Sequence, residues 1–275
     1  MKREKTQREI KKISGLPTLP GVVTKLCSMV ESPDVSAAVI GKLIASDQVL
    51  AARILKLVNS AFYGFPGRIS SVSQAFVLLG FNVVKGLAVS ASVFDMMTGH
   101  LEGLWRHSLA CSVVAARVAR VLGEPDAEEI AVAALLHDIG KVALWTKFPY
   151  DMALIMDEIK VKDKTLVDLE DERFGMTHPE IGEILVKQWN LPDNLIEPIT
   201  FHHQPHRSKK YERRTHIIHL ADLITKGLGY TFSTDYYVSP LSKKSWKYLE
   251  LNDEVLSRII EEVMDNLDDI DDSSF

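Results

Sequence analysis

The chain has 275 residues, 46% of them hydrophobic and 25% charged, a balance that excludes a disordered or collagen-like protein and is ample for a core that needs no disulfide or metal to hold it. Thirty-two basic against thirty-seven acidic residues leave a formal charge of -5, which offers no general attraction to the phosphate backbone of nucleic acid. The longest apolar stretches are interrupted by Lys85, Gly86 and Ser90, and by His137 and Asp138, so no membrane span is expected. The opening MKREKTQREIKK has no apolar run of the secretory type behind it, which makes the cytoplasm the expected location. Cys27 and Cys111 lack CxxC spacing and read as reduced, packed thiols.

Taken in chain order, the punctuation predicts helices joined by short loops. GLPTLPG at 15–21 is too rich in Pro and Gly for a helix, and Val22, Val23, Leu26, Met29 and Val30 then fall at helical spacing. Asp34 is the expected N-cap of a second helix with Val35, Val39, Leu43 and Ile44 on one stripe, and a third runs through Val49, Leu50, Ile54, Leu55 and Val58. Ser71 and Gln74 have capping-box spacing, Gly80 closes that short helix, and Val83 to Met97 reads as a buried apolar helix. Leu104 to Leu122 ends at Gly123, and Ala127 to Lys147 reads as one long helix.

A second capping box, Thr177 with Glu180, opens a helix through Ile181, Ile184, Leu185 and Trp189, followed by helices at Asp193 to His203 and Thr215 to Lys226. The basic stretch HRSKKYERR at 206–214 reads as a solvated loop, and 227–240 as a structured loop or small hairpin. A last amphipathic helix runs through Val255, Ile259, Ile260 and Val263 before the acidic tail DDIDDSSF. Period-2 alternation is absent, so the expected class is all-α.

The chemistry is carried by His107, His137, Asp138, His178, His202, His203 and Asp222, which sit at helix positions with apolar neighbours. A His or Asp facing a core costs several kcal/mol unless it is paired or bound to a metal. For an isolated HD dipeptide a core histidine paired to its neighbours is the commoner case, but seven such residues on five helices point to a common centre. Imidazole with carboxylate suits Fe, Mn, Ni or Zn, and the number of donors fits a binuclear site. Two ions flanking Asp138 would activate a water and clamp a phosphoryl oxygen, which is metal-assisted hydrolysis.

The order His107, His137-Asp138, Asp222 resembles the H…HD…D signature of HD-domain metal-dependent phosphohydrolases, and the added His178 and His202-His203 resemble the fuller set of the HD-GYP subfamily, which cleaves cyclic di-GMP. That resemblance implies that the seven residues are metal ligands with Asp138 bridging, and that Lys141 of HDIGK contacts substrate phosphate. The residues alone equally allow a helix-surface lysine at Lys141. No Gly-Tyr-Pro loop follows HHQP, and Gly103 stands where the subfamily has a further glutamate, so neither a third metal nor cyclic di-GMP is implied.

The amino-terminal phrases LPTLPGVVTKL, LKLVNSAFYG and ISSVSQAFVLLG, with the Ser46-Asp47 helix start, closely resemble the HDOD domain, a bacterial signalling and output module related to HD phosphohydrolases. Over about residues 10–226 this resemblance implies an HD-type helical bundle behind an amino-terminal helical subdomain, with units at 1–100, 101–230 and 231–275. The implied cofactors are two divalent transition metals, Fe or Mn before Ni, Zn or Mg. The expected function is a bacterial signalling protein acting as a metal-dependent phosphohydrolase on a phosphorylated small molecule or nucleotide, a phosphoester or phosphodiester that includes cyclic nucleotides. The alternative is a non-catalytic scaffold or metal- or ligand-sensing module that engages signalling proteins. His100, His206, His216 and His219 have no place in the motif, and His219, one turn before Asp222, is the candidate to support a ligand from behind.

Overall fold

The computed structural model describes residues 2–12, 20–29, 36–59, 69–97, 101–232, 238 and 240–267. Among them every regular element is helical and no strand occurs, as the absence of period-2 alternation predicts. The expectations placed on GLPTLPG up to Leu19, on Asp34, on His100 and on the acidic tail lie outside the described residues.

The amino-terminal helices are α1 (Lys2–Lys11), α2 (Gly21–Ser28), α3 (Ala37–Ala45), α4 (Gln48–Val58) and α5 (Val72–Met97). Ser36 caps α3 through Val39 N–H, and Asp47 caps α4 through Leu50 N–H at 3.0 Å. Ser71 caps α5 through Gln74 N–H, while the Gln74 side chain reaches past it to the Ser70 amide at 3.0 Å. Gly80 breaks α5 with φ 81°, a conformation that L side chains rarely adopt, so the expected end of the short helix is a kink between two helical stretches. The helical stripes rotate from the expected ones: Ile40 and Ile44 are buried on α3 and Leu50, Ile54, Leu57 and Val58 on α4, whereas Val39 and Val49 face outward. Apolar residues on more than one face of each short helix make the periodicity ambiguous until α5 supplies the packing face.

Helices α2, α3 and α4 pack on α5, whose second half crosses onto the rest of the molecule. The segment Val72–Val93 has the length and the mean hydropathy, 1.8, to cross a bilayer, contrary to the sequence expectation, but 61% of that window is buried within the protein and Gly80 interrupts it. Its apolarity is that of a core helix.

The remaining helices are α6 (Glu102–Val121), α7 (Ala127–Leu136), α8 (Ile139–Lys147), α9 (Pro149–Glu158), α10 (Leu166–Phe174), α11 (His178–Gln188), α12 (Asp193–Phe201), α13 (Glu212–Gly227), α14 (Lys243–Tyr248) and α15 (Asp253–Leu267). Helix α6 is the axis, packed by α7, α13 and α15, and α12 bridges α7, α11 and α13. Both cysteines are buried free thiols, as expected.

Three features depart from the sequence reading. The expected long helix from Ala127 to Lys147 is two helices, because the chain turns at His137 and Asp138. Helices α9, α10 and α14 are additions to the expected set; each is ten residues or fewer, too short for a clear periodic stripe. The charged opening segment forms α1, which packs against α8, α10 and α11, with Thr6 donating to the Phe174 carbonyl at 2.9 Å and Arg3 to Glu180 at 2.8 Å.

Helix α14 closes one end of α13 through His216, whose ring stacks on Tyr248 at 4.5 Å and whose Nδ1 lies 2.9 Å from Ser245 Oγ. Burial, with His219 nearby, pushes His216 down to about 4. The unfolded chain therefore binds the proton first as pH falls, and the stability supplied by neutral His216 is lost between about pH 6.5 and 4. We expect about 2 kcal/mol to disappear from this group between pH 7 and 5. Urea unfolding of the wild type and of His216→Gln at both pH values checks this: the wild type should lose more, by that difference.

Candidate metal centre

The chain brings the seven expected residues to one buried place. His107 comes from the first turns of α6, His137 and Asp138 from the turn between α7 and α8, His178 from the first residue of α11, His202 and His203 from the end of α12, and Asp222 from the middle of α13. The turn at His137-Asp138 aims both side chains inward from one dipeptide, which a continuous helix, advancing about 100° per residue, would not do. His107, His137, Asp138, His178, His202 and Asp222 are each 1% exposed or less.

The donors divide into two sets around one carboxylate. Asp138 Oδ2 lies 3.3 Å from His137 Nε2 and 3.6 Å from His107 Nε2, and His107 Nε2 lies 3.2 Å from Asp222 Oδ1. Asp138 Oδ1 faces the other way, 3.2 Å from His178 Nε2 and 3.8 Å from His202 Nε2, and His203 Nε2 is 3.1 Å from that of His178. The ligand atoms of His107, His137 and Asp222, those of His178, His202 and His203, and those of His137, Asp138 and His202, which join the two sets, each lie within 4.8 Å of one another, close enough to hold a metal ion.

The rings are oriented from behind. Nδ1 of His107 donates to the Tyr230 carbonyl at 2.8 Å, that of His137 to Ala134 at 2.6 Å and that of His202 to Ile199 at 2.8 Å, which puts the proton on Nδ1 and turns the Nε2 lone pair toward the cluster. His219 lies behind as the sequence suggests, donating from Nδ1 to the His202 carbonyl at 2.9 Å. One supporting residue escaped the sequence reading: Glu170 of α10, fully buried, accepts from both the backbone N–H and Nδ1 of His178 at 2.7 Å. Its only signal was an acidic residue eight positions before a histidine, in a helix too polar to be read as one.

Both carboxylates and two of the histidines, His202 and His203, are held in the forms a metal requires. Burial opposes ionisation of Asp138 and Asp222, yet His137 and Lys141 beside the first, and Lys226 and His107 beside the second, hold both well below the usual carboxylate range. Burial and neighbouring histidines keep His202 and His203 well below the ordinary histidine value, and burial lowers His219. Against its burial, Glu170 and Asp138 hold His178 above that value. Asp138 Oδ1, Asp222 Oδ1 and His202 Nε2 are buried and have no hydrogen-bond partner. Ionised carboxylate oxygens and the neutral rings of His202 and His203, converging with unsatisfied lone pairs, suit a divalent cation, whose charge would offset the burial of these groups.

Lys141 is not on the helix surface. It is 1% exposed, and its Nζ lies 2.7 Å from Asp138 Oδ2, while Lys226 Nζ lies 2.9 Å from Asp222 Oδ2. Both lysines line a cleft of about 270 Å³ that also reaches His178, His203 and Asp222 and extends to the exposed Lys164, Asp168 and Gln204. The basic stretch after His203 takes no part in it: Arg213 pairs with Glu124, and Arg214 with Asp126 and Glu129.

With the fold and the cluster described, the family follows. The model of the HDOD domain matches residues 16–205, over half of the chain. The chain belongs to the HDOD domain family. An HDOD domain protein with unknown function from Geobacter sulfurreducens is similar over 98% of this chain and 98% of its own, with TM-score 0.72 and 23% identity. A candidate phosphohydrolase from Shewanella amazonensis SB2B matches 95% of both chains with TM-score 0.72 and 20% identity. These likenesses establish the helical HDOD fold. An uncharacterized protein of Treponema pallidum (strain Nichols) is 29% identical over 207 residues, and this HDOD chain spans 40% of its length. Asp222 and Lys226 lie beyond the matched residues, on a helix that the fold supplies to the cluster.

Proposed function

We propose that this HDOD protein is a metal-dependent phosphohydrolase of a cytoplasmic bacterial signalling system, with two divalent metals, Fe or Mn first, held by His107, His137, Asp138 and Asp222 on one side and by Asp138, His178, His202 and His203 on the other. The observation that carries this reading is the Asp138 carboxylate, with Oδ2 toward one donor set and Oδ1 toward the other. Two ions in such a site supply Lewis acidity and an activated water for attack at phosphorus. The chain's own part is to fix the donors, to keep them deprotonated and to offer the ammonium groups of Lys141 and Lys226 in the adjoining cleft to the anionic phosphoryl group.

The substrate on this reading is a phosphoester. A third metal is not part of it, because Gly103 has no carboxylate to contribute.

One observation favours a second reading, a module that does without metal. Asp138 and Asp222 each already have a lysine within 2.9 Å, which supports the carboxylates electrostatically. Metal content decides between the two. Protein purified without chelators should carry close to two transition-metal equivalents per chain, lost in a His137→Ala, Asp138→Ala variant, and should hydrolyse 4-nitrophenyl phosphate or its bis-ester. A folded protein that takes up no added Fe or Mn overturns the hydrolase reading in favour of the module.

A further inference from the structure

One ring of the second donor set is held by different chemistry from the other rings. His107, His137 and His202 give their Nδ1 protons to neutral backbone carbonyls, whereas His178 gives its own to a carboxylate. Glu170 is fully buried, which costs several kcal/mol unless the charge is hydrogen-bonded, and the same Oε2 takes two donors from one residue, the amide and the ring of His178. The amide is one of the unsatisfied N–H groups of the first turn of α11, where a negative charge is favoured by the helix dipole.

Held at both ends, the His178 ring has no rotamer freedom left. Its Nε2 is set between Asp138 Oδ1 at 3.2 Å and His203 Nε2 at 3.1 Å. A carboxylate behind an imidazole also makes the opposite nitrogen a stronger donor than a carbonyl does.

Resting on the binuclear reading above, we infer that Glu170 is the positioning residue of the His178, His202 and His203 half of the centre, so that occupancy of this half depends on α10 while the His107, His137 and Asp222 half does not. The helix that brings Glu170 in also lines the cleft with its first turn, at Leu166, Val167 and Asp168. The chain therefore ties the second half-site to the wall along which substrate enters. Asp138 belongs to both halves, and the remaining half retains a complete set of His107, His137, Asp138 and Asp222.

The test is Mn(II) titration of the metal-free full chain, reading stoichiometry and both dissociation constants by calorimetry, for the wild type, Glu170→Gln and Glu170→Ala, with the unfolding midpoint of each metal-free protein measured beside it. The wild type should bind two ions. Glu170→Ala should bind one with unchanged affinity, and Glu170→Gln, whose amide oxygen still accepts from Nδ1, should bind the second about 10–100-fold more weakly than wild type, the usual effect of losing such a partner. A lowered midpoint with both ions still bound at wild-type strength, or loss of both ions together, overturns the inference, because either outcome makes Glu170 a general stabiliser. If Glu170→Ala does not fold, an unweakened second site in Glu170→Gln overturns it alone. A wild type that binds no Mn(II) instead removes the binuclear reading itself.

Discussion

Replacing Asp138 by alanine is expected to abolish metal binding and also to destabilise the metal-free protein by about 3–5 kcal/mol, the range for breaking a buried ion pair from one side. The carboxylate is 1% exposed and lies 2.7 Å from the ammonium of Lys141, itself 1% exposed, so alanine removes the charge that Lys141 faces inside the bundle. Two measurements separate the chemical from the structural loss. Urea unfolding of metal-free Asp138→Ala, beside Asp138→Ala with Lys141→Met, should show most of the stability returning in the double variant. Hydrolysis should stay low in both, by at least about a hundredfold, since even outer contacts of a metal site are worth about 10–100-fold and Asp138 is shared by both donor sets. Equal stability of Asp138→Ala and wild type would mean that the pair contributes no net energy, and turnover surviving in either variant would remove Asp138 from the reaction.

Gly140→Ala is expected to cost about 3 kcal/mol or more and to reduce metal content, although Gly140 carries no side chain and binds nothing. Helix α8 crosses the start of α11 so closely that a Cβ on Gly140 would stand 1.9 Å from the His178 carbonyl oxygen and 2.9 Å from the Gly182 amide nitrogen. Backbone on both sides leaves no flexible side chain to yield, so α11 must move away, and His178 is its first residue. Gly182→Ala is the comparison. Its Cβ would press on the side chains of Ile199 and Ile139 at 3.3 and 3.5 Å and meet the Gly140 amide nitrogen at an ordinary 3.7 Å, and a cost below about 1.5 kcal/mol is expected where side chains can repack. Thermal unfolding and metal content of the two variants check this; similar values for both would show that the α8–α11 crossing can relax without disturbing the centre.

Much of this was legible before any fold was known. The helical class followed from periodicity, the caps at Ser71 and Thr177 from capping-box spacing, and the convergence of His107, His137, Asp138, His178, His202, His203 and Asp222 from the cost of polar groups on apolar helix faces. These are local properties, or sums of local costs, and a linear sequence carries them.

What the linear pattern could not carry was anything set by a partner far along the chain. Helical periodicity continues unbroken through AVAALLHDIGKVAL, so the turn that aims His137 and Asp138 together shows only when α7 packs on α6 and α8 on α11. Lys141 reads equally well as surface or core, and its burial depends on Asp138 meeting it inside the bundle. Glu170 is one acid among several in LVDLEDERF, and α10 brings it alone to His178. The sequence by itself determined which atoms could bind a metal and roughly which helices present them. Only the tertiary structure decided which lone pairs face each other and which buried charges support them, because those follow from packing between helices distant in sequence, where a separation of a few ångströms decides the energy.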